Sequence, residues 1–146
     1  MTESKDTRYT LDQVLATMEF FERYGEIWKR EFGADFFTRD HWYMFNECCR
    51  SFWKGRDFTI SDAIRTMPLL AATVARTRIE EAEKAGYVRI VNSNRDARTK
   101  HVLPSDELEV KVKAVFEGAV DLLRETLLEL QDKGRLPRAT PPPGRN

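Results

Sequence analysis

Arg95 and Arg98 flank Asp96 in a short polar stretch, and Lys100 follows just beyond. Guanidinium groups on a loop tip suit a polyanion, because the minor groove of duplex DNA focuses negative potential that an arginine can enter. A carboxylate is misplaced on such a loop unless it holds a neighbouring arginine in position. Upstream, Thr73, Arg76 and Thr77 share the outward face of an Ala-rich segment. Short hydroxyls beside one arginine suit contacts to phosphates and base edges. From the loop alone, an ordinary solvated turn at 95–98 is an equal alternative.

Other chemistry is sparse. Cys48 and Cys49 are adjacent and are the only cysteines, which excludes a disulfide framework of the secreted type. With only His41 and His101 besides, no zinc-ligand spacing exists, and neither a metal nor a cofactor is expected. His41 precedes Cys48 by seven residues. On a helix that is about 10 Å along the axis, too far for a base and a nucleophile to share a hydrogen bond. Gly-rich phosphate loops and a Gly-x-Ser-x-Gly elbow are lacking, so no enzyme is expected. A redox-sensing thiol at Cys48 or Cys49 is an open alternative, against the plainer reading of a small buried hydrophobe.

The elements that must position these residues follow from periodicity. Leu11, Val14, Leu15, Met18, Phe21, Ile27 and Trp28 recur at helical steps, which predicts a helix from Thr10 to about Phe32, stopped by Gly33. Thr38 or Asp40 can cap a second helix to about Trp53, ended by Gly55. A strand-like piece, Phe58 to Ile60, precedes a short helix from Ser61 to Met67, with Ser61 as cap and Pro68 as breaker. The next helix runs from about Leu70 to Ala85, with Leu70, Ala75, Ile79 and Ala82 inward and Gly86 as its stop. After Gly86 the period falls to two: Tyr87–Val91 and Thr99–Leu103 read as a β-hairpin with a basic tip. Pro104 and Ser105 open a last helix to about Lys133. The fold predicted is mainly α, a winged helix-turn-helix with a β-hairpin wing and long N- and C-terminal helices that form a dimerisation region.

Charge is segregated on this frame although the formal net charge is zero. Between Arg56 and His101 nine Lys and Arg face six Asp and Glu; between Ser105 and Lys133 four face eight. Only the middle of the chain suits a polyanion. At 41% hydrophobic and 33% charged residues the composition is that of a globular protein, and no apolar run is long enough for a membrane span or a secretory signal. A cytoplasmic protein is expected.

Motifs within this order resemble the DNA-binding lobe of the MarR family of bacterial transcription regulators. Ala82-Glu-Lys-Ala-Gly86-Tyr-Val88 matches that family's leucine-x-x-x-glycine-x-valine helix end. Asp96-Ala-Arg98 matches its aspartate-x-arginine wing, and Val102-Leu-Pro-Ser105 its exit into the final helix. Thr38 to Trp42 is similar to the start of its second helix. Departures are Ala82 for the usual leucine, Arg78 at a commonly apolar position, Pro104-Ser105 for leucine-threonine, and the turn Pro68-Leu-Leu70.

The resemblance implies a homodimeric regulator that binds double-stranded DNA at a pseudo-palindromic operator, acting as a repressor. Recognition-helix positions Thr73, Arg76 and Thr77 would enter the major groove, and Arg98, anchored by Asp96 and flanked by Arg95 and Lys100, the minor groove. Two-fold symmetry would set the recognition helices roughly 34 Å apart. It also implies a small aromatic effector in a cleft, for which Trp28, His41, Trp42, Phe45 and Phe52 are candidates. Of 16 aromatic residues, 14 lie between Tyr9 and Phe58, and core packing is the plainer use for them. Expected boundaries are a flexible stretch at 1–9, one domain at 10–133 and a disordered Pro-rich tail at 134–146. Within the domain, dimerisation helices occupy 10–33 and 105–133, and the DNA-binding lobe 38–104. A winged helix given over to protein partners is the rival reading.

Overall fold

The computed structural model describes the backbone of residues 8–139 and the side chains of residues 8–132. The element order is α1 Leu11–Phe36, α2 Arg39–Trp53, α3 Ile60–Arg65, α4 Ala72–Lys84, β1 Val88–Asn92, β2 Lys100–Pro104 and α5 Asp106–Ala139. This is the winged helix-turn-helix order, mainly α with one antiparallel hairpin. The expectations for residues 1–7 and 140–146 lie outside the described residues.

Most boundaries follow from local chemistry. Gly33 leaves helical geometry at φ 75° and ψ 174°, so α1 kinks there. Thr38 caps α2, its hydroxyl accepting from the His41 amide at 3.1 Å. Gly86, at φ 87°, follows the last turn of α4 in a conformation that glycine adopts at no steric cost. Ser105 Oγ accepts from the Leu108 amide at 3.1 Å and starts α5.

Several boundaries differ from expectation: α1 continues past its kink to Phe36, the strand expected at Phe58–Ile60 is a single bridge at Thr59, α4 starts at Ala72, and α3 and α5 differ most. Thr59, not Ser61, caps α3, which spans Ile60–Arg65 in place of 61–67. Thr59 is favoured because Asp62 completes a capping box: Asp62 accepts from the Thr59 amide at 2.9 Å, while Thr59 accepts from the Asp62 amide at 3.1 Å. The helix α5 runs to Ala139, past the predicted end near Lys133. One glycine lowers helix propensity by about 1 kcal/mol, which is too little to stop a long helix at Gly134.

Two compact units divide the chain, one holding the residues to Trp28 and those from Phe116, the other Lys29–Val115. In the first, α1 and α5 pack together. Ile27 lies 3.4 Å from where a Cβ on Gly118 would be, Tyr24 and Phe116 are 6.1 Å apart, and Gln13 Nε2 donates to the Leu130 carbonyl at 3.1 Å. Arg23 and Glu125 add an exposed ion pair at 3.3 Å.

The second unit is built around the helix-turn-helix. Ala75, Ile79 and Ala82 of α4 are fully buried, as are Ala63 of α3 and Met44, Phe45, Cys48 and Cys49 of α2. Alanines at these contacts let helices approach closely, and bulk comes from an aromatic cluster. Phe45 lies 5.4 Å from both Phe32 and Tyr87, and Phe36 5.0 Å from Tyr87. In the hairpin Val88 pairs with Pro104 and Asn92 with Lys100. The segment before α3 joins it: Thr59 bridges His101, and the Val102 amide donates to the Phe58 carbonyl at 2.8 Å.

Candidate nucleic-acid interface

Helix α4 shows two faces. Opposite its buried alanine and isoleucine stripe, Thr73, Arg76 and Thr77 are all exposed. Thr77 Oγ1 donates back to the Thr73 carbonyl at 3.1 Å. The cap residue Ala71 makes no side-chain hydrogen bond, and the first turn carries no acidic residue. The α4 N-terminus therefore keeps free amides and no negative charge.

Asp96 organises the wing. Its carboxylate accepts from the Arg98 amide at 2.9 Å and from the Thr99 hydroxyl at 3.0 Å. Those two bonds hold its carboxyl below the ordinary carboxylate range, the Arg98 amide contributing most. Asp96 thus fixes the arginine through the backbone, and among the described residues the Arg98 guanidinium has no ion-pair partner. Ser93 Oγ accepts from the Arg95 amide at 3.1 Å, and Lys100 Nζ donates to Asn92 Oδ1 at 3.0 Å.

The fold brings Arg76, Arg98 and Lys100 to one open cavity of about 410 Å³, which Thr59, Ile60, Ser61 and Thr99 also line. Arg95 is exposed on the wing but does not line it. Ion pairs separate the basic residues into two groups. Arg50 and Arg56 lie 3.8 and 3.6 Å from Glu47, Arg78 lies 3.4 Å from Glu81, and Arg65 pairs with Asp62. Arg76, Arg95 and Arg98 have no carboxylate partner among the described residues. Positive charge is therefore left uncompensated where α4 meets the wing.

Ser61 is a hydroxyl donor that sequence reasoning missed at this cavity, whereas the Thr99 hydroxyl that also lines it donates to Asp96. Ser61 was assigned to capping; with Thr59 in that role, its side chain is exposed. The Thr59-x-x-Asp62 spacing was the available signal.

The aromatic candidates are divided between the two units. Trp28 belongs to the first unit, and His41, Trp42, Phe45 and Phe52 to the second. His41 and Phe45 are buried with rings 5.6 Å apart, packed in the aromatic core. Trp42 is half-buried. Phe52 is 43% exposed and stands eleven residues along α2 from His41, about 16 Å.

Burial lowers the His41 pKa from its ordinary 6.5; Glu81 and Asp40 pull it up, and Arg78 pushes it down. Its Nδ1 shares a hydrogen bond with Thr38 Oγ1 at 2.8 Å, while buried Nε2 has no partner. The depressed folded pKa has a definite sign: the unfolded chain protonates first, so stability is lost as pH falls below 6.5 and levels off beneath the folded value. Urea midpoints between pH 7.5 and 5 should therefore fall for wild type and fall less for His41→Asn. Equal slopes for the two would assign the loss to other groups.

The thiols are poorly placed for redox sensing. Cys48 and Cys49 are completely buried. Burial above all pushes Cys48 beyond the ordinary thiol range and Cys49 up to about 12. A reactive thiol needs the opposite shift and exposure. Among the described residues no group of three or more His, Cys, Asp or Glu is placed to hold a metal, and no helix is long and apolar enough to cross a membrane.

No protein-family profile and no curated protein matches the sequence. Solved structures do match in fold. NadR in complex with 4-hydroxyphenylacetate superposes with a TM-score of 0.56 at 17% identity, over 90% of this chain and 93% of that one. YusO from Bacillus subtilis gives 0.54 at 16% identity, over 90% and 93%. Sco3205 from Streptomyces coelicolor, a MarR family transcriptional regulator in complex with DNA, gives 0.52 at 14% identity, over 86% and 80%. The fold of this chain is MarR-like, with the β-hairpin wing and the long terminal helices.

Proposed function

We propose that this chain is a DNA-binding transcription regulator that acts as a homodimer on a pseudo-palindromic site. One observation carries the reading: Arg76, Arg98 and Lys100 converge between recognition helix and wing without a carboxylate partner among the described residues, whereas Arg50, Arg56, Arg65 and Arg78 are ion-paired. Three cations with the Ser61 hydroxyl have the donor chemistry of a phosphate cradle. Thr73 and Thr77 stand on the face free to meet base edges, and Arg95 with Arg98 on a wing tip held by Asp96. The DNA in the Sco3205 structure supports the same use of this fold.

The dimer is proposed from the first unit. Along α5, Val112, Val115, Ala119 and Leu122 are buried, whereas Phe116, Leu123 and Leu127 are 39%, 45% and 56% exposed. On α1, Leu11, Leu15, Met18 and Phe21 are exposed as well. A groove of about 420 Å³ runs between Tyr9, Val14, Met18, Phe21 and Leu130. Apolar surface of this extent on a soluble chain marks an interface, and a second copy presents the same two helix faces in return. Modulation by a small aromatic ligand belongs to the same proposal, and the 4-hydroxyphenylacetate in the NadR structure supports it; His41 and Phe45 themselves are packed in the core.

Fluorescence anisotropy with random-sequence duplex across a salt series tests it. A dimer that neutralises about six phosphates gives a log–log slope near −5. Absence of binding at about 50 mM salt, where the electrostatic term is strong, would overturn the reading in favour of a protein-interaction module.

A further inference from the structure

Resting on the DNA-binding reading, we propose that the recognition helix selects its operator by touching thymine methyl groups, not by bidentate hydrogen bonds to bases. From Leu69 to Ala75 the chain reads Leu-Leu-Ala-Ala-Thr-Val-Ala, without a single Arg, Lys, Asn, Gln, Asp or Glu. Leu69 is 76% exposed, Val74 39%, and Ala71, Ala72 and Thr73 are exposed between them. The leading turn of α4 is therefore a surface of methyl groups. Thr77, the next outward position, spends its hydroxyl proton on the Thr73 carbonyl at 3.1 Å, which leaves its methyl to face outward.

Between Leu69 and Thr77 Arg76 is the one side chain with bidentate capacity, and it lines the cavity shared with Arg98 and Lys100; Arg78, next along the helix, is paired with Glu81 at 3.4 Å. There it faces phosphate. Glu80, two turns behind Thr73 and about 10 Å along the axis, repels the backbone and keeps readout to the leading end. In the major groove thymine alone carries a C5 methyl, and alanine and threonine methyls pack against it.

The test has two stages. Wild-type protein first enriches its site from a random duplex library. Each major-groove thymine of the enriched half-sites is then replaced by deoxyuridine, which removes only the C5 methyl. Burial of one methyl supports about a fourfold loss of affinity for each contacted thymine. That loss should shrink in Thr73→Ser, which keeps the hydroxyl and removes the protein methyl. Thymine-free half-sites, or uracil duplexes that bind as tightly as the parent at every position, would overturn the proposal and leave DNA binding intact. Failure to enrich any sequence would overturn both.

Discussion

Arg98→Ala should bind duplex DNA at least tenfold more weakly than wild type, with the dimer unchanged, and Arg76→Ala/Arg98→Ala more weakly still. The wing turn survives the first substitution because Asp96 grips the Arg98 amide and the Thr99 hydroxyl, neither of which is lost. Arg98 pairs with no carboxylate, so its removal leaves no buried charge behind. Only interaction with the polyanion is deleted. Each lost phosphate contact lowers the salt slope by about 1, and the double variant should be shallower by about two such contacts. Because both side chains line one cavity, their effects should couple and not simply add. Anisotropy titrations at several salt concentrations give affinity and slope together. Unchanged affinity and slope in the double variant would remove the cavity from the interface.

Phe21→Asp should convert the dimer to monomers and weaken DNA binding by two orders of magnitude or more. Phe21 is 63% exposed in the isolated chain, so the aspartate costs the folded monomer little. In a two-fold interface it enters twice, and an unpaired carboxylate buried at a contact costs about 3–5 kcal/mol. A monomer holds only one half-site, and its salt slope should fall to about half. Sedimentation equilibrium at micromolar concentration reads the assembly directly. If Phe21→Asp and wild type sediment alike, the second copy does not sit on this face.

Much of this protein is legible in its sequence, where the information is local. Helix starts and stops rest on single residues: the Thr38 hydroxyl, the positive φ at Gly86 and the Ser105 cap each act within one turn. The inward stripe of Ala75, Ile79 and Ala82 and the outward Thr73, Arg76 and Thr77 follow from helical period alone. On α5 the buried Val112, Val115, Ala119 and Leu122 and the exposed Phe116, Leu123 and Leu127 have the same core composition, so which of them is covered was not legible.

Tertiary structure decided what depends on partners distant in sequence. Thr59 and Ser61 are both competent caps, and geometry at Asp62 chose between them. Phe45 reads as pocket wall or, more plainly, as core, and Phe32 and Tyr87, from either side in sequence, close around it. Arg56 and Arg98 are the same residue in the same basic segment, yet Glu47 neutralises one across a helix end and no described residue neutralises the other. Backbone preferences act over a few residues and can be read along the chain. A side chain's charge and exposure depend on what the fold sets beside it, and that is where the candidate interface was made.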